Sequence, residues 1–142
     1  MIFCDTSAAV KQYVPELESS AMRSLLASAD GACLSDLCRV EIVAAFHRRL
    51  REGFWSREQF HLMMGQFASD DAAGFWTWLP LDRAVLLAAA STYAALERSV
   101  FLRSSDCIHL CTAIRHKFKA VHTYDVQQAK GAAALGLEAL TA

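Results

Sequence analysis

The 142 residues lie within the size of one domain and are enough to enclose a proper core, so a single domain over residues 1–142 is expected. Apolar residues make up 54% of the chain against 20% charged, which points to extensive burial or to apolar surface that meets a partner chain. A formal net charge of −1 argues against a strongly basic surface that holds nucleic acid by bulk electrostatics, so any polyanion must be gripped locally.

Residues 1–5 form an apolar run that stops at Asp5; they predict a buried strand, followed by a helix over 8–14. Pro15 ends that helix, and a second is expected over 16–29 with Leu17, Met22, Leu25 and Leu26 on its apolar side. Asp30-Gly31 marks a turn, 32–35 a brief second strand, and 36–52 a long helix closed by Gly53. Within that helix Leu37, Ala44 and Ala45 lie three or four positions from Glu41, so Glu41 shares their side. An unpaired carboxylate there would cost several kcal/mol or take up a proton; an arginine or a bound cation must compensate it.

Residues 56–73 predict a helix that starts at Ser56, with Glu58 and Gln59 behind it and Phe60, Met63, Met64 and Phe67 as a packing stripe. A third strand over 75–79 stops at Pro80, and Asp82 caps a helix that runs to about Arg98 through Val85, Leu86, Ala89 and Tyr93. Ser104 or Ser105 reads as the N-cap of the next helix, whose apolar face is Cys107, Leu110, Cys111 and Ile114, so Asp106 occupies a first helical turn. Residues 120–125 form a fourth strand that again ends at an acid, Asp125. A last helix covers 126–135 before Gly136, and 137–140 add a short edge strand. Strands alternating with helices indicate an α/β fold whose short, mainly parallel sheet is covered on both faces.

The five cysteines contain no Cys-x-x-Cys pair and no signal peptide precedes the first strand, so reduced thiols and a cytoplasmic setting are expected. Cys107, His109, Cys111 and His116 are dense, but His109 points away from the face shared by the two cysteines. Structural zinc is therefore disfavoured and small buried residues are the better reading. His109 itself is expected as a packed, hydrogen-bonded side chain, with orientation of a carboxylate or proton transfer as the alternatives. No run is apolar enough to cross a bilayer.

In an open parallel sheet, ligands bind beyond the carboxyl ends of the strands, near the point where strand order reverses. Asp5 and Asp125 end strands, Asp106 opens a helix, and Glu41 lies early in the helix after strand two, so the four can meet at one edge. Gathered in a partly dry cleft they would raise each other's pKa unless a cation intervened, and oxygen ligands favour Mg²⁺ or Mn²⁺. Such ions neutralise a phosphodiester and activate water, which makes a nuclease site. Thr6 and Ser7 either support Asp5 or cap the first helix, and Arg103 reaches either a phosphate or one of the acids. Arg48, Arg49 and Arg51 are read as partners of a helix C-terminus ahead of contacts to RNA phosphates.

An apolar strand ending Asp5-Thr6-Ser7, Glu41 in the helix after strand two, the run Arg103-x-x-Asp106-x-x-His109-x-x-Thr112-Ala113 and the strand end Thr123-Tyr124-Asp125 together resemble a PIN-domain ribonuclease of the VapC toxin type. The resemblance spans nearly the whole chain and implies a three-layer α/β/α fold. It implies metal ligands at Asp5, Glu41 and Asp106, with Asp125 as a fourth, more variable acid and Thr6, Ser7, Arg103 and Thr123 around them. It also implies an RNA substrate, an antitoxin that blocks the site, and a homodimer. Phe54, Trp55, Phe75 and Trp78 are candidates for a partner surface, or else they fill the domain's own core.

Competing chemistries fit less well. A haloacid-dehalogenase-like phosphatase needs a second Asp where Ser7 stands, and a receiver-like phosphoacceptor needs an acidic pair near the first strand and a lysine late in the sheet, for which the chain offers no good candidate. The rival of a different class is a PIN-like domain that binds RNA or protein without cutting.

Overall fold

A computed structural model describes residues 1–142. In chain order the elements are β1 (Ile2–Phe3), α1 (Thr6–Val10), α2 (Ser19–Ser28), β2 (Ala32–Ser35), α3 (Cys38–Arg51), α4 (Arg57–Ala72), β3 (Trp76–Leu79), α5 (Arg83–Ala95), α6 (Ser104–Arg115), β4 (Ala120–His122), α7 (Val126–Ala134) and β5 (Glu138–Leu140). All ladders are parallel: β1 pairs with β2 in the register Ile2 to Ala32, β2 with β3, and β4 with β5. A parallel bridge from Cys4 to His122 joins the two groups, giving the spatial order β5-β4-β1-β2-β3. Strand order therefore reverses between β1 and β4.

Period-two alternation sorts the strand residues onto two cores. Cys4, Ala32, Leu34 and Trp76 face a layer made by α1 to α4, around Tyr13, Met22, Ile42, Phe46 and Phe67. Phe3, Cys33 and Val121 face α5, α6 and α7, packed through Val85, Leu110 and Ala132. Both faces of the sheet are covered, so β2 is buried at all four positions instead of alternating with polar residues. The result is the expected three-layer α/β/α fold.

Local signals place most boundaries. Ser56 and Gln59 close a capping box on α4, Asp82 accepts the Val85 amide at 2.9 Å to start α5, and Gly53 and Gly136 take positive φ just past helix ends. The first helix departs from expectation by stopping at Val10. Residues 11–14 run on as tight turns, the Lys11, Gln12 and Tyr13 amides bonding carbonyls three residues back, while the buried Lys11 side chain donates to the Leu17 carbonyl at 2.6 Å and to Glu16 at 3.2 Å. Leu17 lies outside α2 and is 83% exposed, not on an apolar face. Arg103, not a serine, occupies the N-cap position of α6, and Ser104 and Ser105 are its first helical residues. The fourth strand ends at His122; the Thr123 amide still donates to the Leu140 carbonyl at 3.0 Å while its hydroxyl bonds into the cleft described below. Of the four aromatics considered for a partner surface, Trp55, Phe75 and Trp78 pack against the first core, and only Phe54 is exposed.

Candidate active site

The reversal of strand order sets Asp5 at the crossover, with its amide donating to the His122 carbonyl at 3.1 Å. Its buried carboxylate is itself the N-cap of α1, accepting the Ala8 amide at 2.9 Å, so neither Thr6 nor Ser7 is needed for that task. The Ser7 hydroxyl donates to Oδ1 at 2.7 Å and the Thr123 hydroxyl to Oδ2 at 2.6 Å. Burial pushes the Asp5 carboxyl up from its ordinary value, and the bonds from Thr123, Ala8 and Ser7 pull in the opposite direction.

Glu41 lies in the first turn of α3, facing α1 and α6. The Thr6 hydroxyl donates to its Oε2, and the same oxygen lies 2.7 Å from His109 Nε2. Its compensating partner is therefore a histidine, not an arginine. Burial raises Glu41, but the His109 hydrogen bond and charge, with the Thr6 and Ser105 hydroxyls, outweigh it and hold the carboxyl below its usual range. His109 is buried, with Nδ1 3.8 Å from Cys38 Sγ. Burial alone would lower its pKa, yet contacts with Cys38 and Glu41 push it up to about 10, so the ring is an imidazolium at neutral pH.

Asp106 sits in the first turn of α6, 6% exposed, and its Oδ2 is buried without a hydrogen-bond partner. Burial and the nearby Asp125 charge raise its pKa, while Arg103 and His109 act against them. Asp125 caps α7 by accepting the Gln127 and Gln128 amides at 2.7 and 3.0 Å. Arg103 spans the pair, with one guanidinium nitrogen 3.0 Å from Asp125 and another 3.6 Å from Asp106. At the α6 N-cap position this arginine is held over both acids.

All four acids line one open cleft of about 900 Å³, together with Thr6, Ser7, Arg103, Ser105 and His109. The farther wall is basic, formed by Lys11 and by Arg48, Arg49 and Arg51 of α3. Lys11 and Arg49 both pair with Glu16, whereas Arg48 makes no ion pair. Of the residues singled out in the sequence, Asp5, Glu41, Asp106, Asp125, Thr6, Ser7 and Arg103 line this cleft directly. Thr123 reaches it through its bond to Asp5. His109 is the packed, hydrogen-bonded side chain expected and also orients a carboxylate, that of Glu41; what the sequence did not single out is Cys38 beside its ring.

The model of the family described as PIN domain matches residues 2–134. The chain belongs to the PIN-domain family. No curated protein matches it. Several solved structures do, and at their low identities the likeness concerns the fold. FitAcB from Neisseria gonorrhoeae is 18% identical with a TM-score of 0.77, over 99% of this PIN domain and 97% of that chain. VapC20 from Mycobacterium tuberculosis, described as a sarcin-ricin loop cleaving toxin, is 12% identical with a TM-score of 0.72, over 92% and 95%. VapBC2 from Rickettsia felis, bound to a DNA fragment from its promoter, is 17% identical with a TM-score of 0.68, over 99% of both chains.

Chemically, the cations in contact with the four carboxylates are His109, on Glu41, and Arg103, on Asp106 and Asp125. Asp106 Oδ2 accepts no hydrogen bond and is an acceptor open to a further cation. The donors are oxygens, which suit a hard divalent cation.

Proposed function

We propose that this PIN domain is a Mg²⁺- or Mn²⁺-dependent endoribonuclease, the toxin of a toxin–antitoxin pair, in which Asp5, Glu41, Asp106 and Asp125 hold the metal. The observation that carries the reading is the convergence of four acids from distant parts of the chain on one cleft, one of them with a buried oxygen that accepts no hydrogen bond. A bound ion there would neutralise a phosphodiester and supply an activated water.

The chain's own residues then act as positioners. Ser7 and Thr123 fix both oxygens of Asp5, and Thr6 and His109 fix Glu41. Buried, cationic His109 orients a carboxylate; it is not available as a general base at neutral pH. Arg103 is exposed enough to meet an RNA phosphate while keeping its hold on Asp125, and unpaired Arg48 lines the path on the opposite wall.

Descriptions of the similar structures support the biological part: one is a sarcin-ricin loop cleaving toxin, and another is a toxin–antitoxin complex from Klebsiella pneumoniae, 13% identical with a TM-score of 0.65. The exposed apolar residues, Val40, Phe54, Leu62, Leu86, Leu87 and Ile114 among them, are the surface on which an antitoxin or a second copy would dock. A homodimer in the reduced cytoplasm follows from the same reading; no helix is long and apolar enough to cross a membrane.

The test is incubation of total RNA with the protein in Mn²⁺, in Mg²⁺ and in EDTA, with mapping of the cut ends. Site-specific cleavage that needs metal and disappears in Asp106→Asn is expected. Retention of RNA without cutting under every condition would replace the nuclease by a binding domain.

A further inference from the structure

Asp106 Oδ2 accepts no hydrogen bond and yet is shielded from solvent, with Arg103 Nε 3.6 Å away. The same guanidinium sets its Nη2 3.0 Å from Asp125 Oδ2, while Asp125 Oδ1 is taken by the Gln127 and Gln128 amides. We propose that Arg103 is the cover of the metal site, which an incoming divalent cation must displace from Asp106. Still tethered to Asp125, the displaced guanidinium turns into the cleft as a contact for an RNA phosphate. The cover needs only a cation site at the acids; its use toward RNA rests on the nuclease reading.

A buried carboxylate oxygen without a donor is costly, because it has given up water for nothing of equal strength. At 3.6 Å the guanidinium offsets that charge without a hydrogen bond, and so holds the place that a closer ion of twice the charge would take. The backbone that carries it is fixed. Buried Leu102 packs so closely on Gly131 that a Cβ there would stand 2.5 Å from its side chain, and the Leu102 carbonyl accepts from the Tyr93 hydroxyl at 2.8 Å. The Arg103 side chain itself is 54% exposed and makes no capping bond, although it occupies the N-cap position of α6. Its movement therefore disturbs neither the helix nor the core.

Mn²⁺ binding to the full chain is followed by electron paramagnetic resonance of the free ion, at neutral pH and without RNA. Arg103→Met should bind Mn²⁺ about 5-fold more tightly than the wild type, the upper end for an exposed ion pair. Arg103→Lys keeps the charge but lacks the planar fork that spans two carboxylates, so it too should bind more tightly. Against an Asp106→Asn background, Arg103→Met should add nothing, because no acid remains to be uncovered. Circular dichroism establishes that each variant is folded, and Arg103→Gln gives the reading if Met does not fold. As a second readout, the Arg103 Nε–H signal in proton–nitrogen NMR, assigned by its loss in Arg103→Lys, should shift and exchange faster with water once Mg²⁺ saturates the wild type. An unmoved signal at saturation overturns the cover, as does equal or weaker Mn²⁺ binding by Arg103→Met, or no binding by either protein. A Lys variant that matches the wild type makes net charge the cause and overturns it as well. Tighter binding by Arg103→Met with no RNA cut by either protein leaves the cover standing and refutes the nuclease, whereas metal-dependent cleavage with equal affinities does the reverse.

Discussion

Without metal, the charge that compensates Glu41 comes from His109, and this makes stability depend on pH in a calculable way. Paired with Glu41 and Cys38, the ring has a pKa of about 10 in the folded protein against an ordinary 6.5. For a group raised on folding, the stabilisation is complete below pH 6.5 and is lost as pH rises through about 10. Glu41 is lowered, so its share is present above its ordinary 4.5 and is lost on acidification. A displacement of this size sets a ceiling of about 5 kcal/mol, and solvent reaching Glu41 from the cleft screens the attraction to about 2–3 kcal/mol. Urea unfolding followed by tryptophan fluorescence in EDTA should therefore show wild-type stability falling by that amount between pH 6.5 and 10. Glu41→Gln should lose most of its stability at the low end of this range and show a flatter profile. Buried thiols also weaken the fold at high pH, but they do so in both proteins and cancel in the difference. Equal slopes in the wild type and Glu41→Gln would refute the ion pair as the source.

The two aspartates should respond in opposite directions when metal is absent. Burial and Asp125 raise the Asp106 pKa, so its ionised form is a liability at neutral pH, and Asp106→Asn should raise the melting temperature in calorimetry with EDTA. Asp5→Asn should instead cost about 1 kcal/mol by weakening a carboxylate that accepts bonds from Ser7, Ala8 and Thr123, and both variants should fail to cut RNA. Phe46→Ala, in the aromatic group with Tyr13, Trp55 and Phe67, should destabilise by about 3–5 kcal/mol in urea unfolding. Ser56→Ala opens the capping box of α4 and should cost about 1 kcal/mol, with faster amide exchange confined to the first turn.

Much of the molecule can be read from local pattern alone. The strand at Ala32–Ser35, the caps at Ser56 and Asp82 and the acids following β1 and opening α6 depend on periodicity and capping within a few residues, and these survive intact in the structure. Boundaries fail where a distant group intervenes. The Lys11 side chain at the end of α1 reaches Glu16 and the Leu17 carbonyl, and the Thr123 hydroxyl just past β4 holds Asp5 across 118 positions of chain.

The one-dimensional pattern thus fixed which residues carry charge, where helices start, and that four acids stand at element ends. Packing decided their neighbours. Placing β1 between β2 and β4 brought Asp5 to the reversal point, and docking α3 against α6 joined Glu41 to His109, 68 positions away. Backbone propensity acts over a single turn, whereas the partner of a buried charge is chosen by whichever faces come together when the apolar surfaces close.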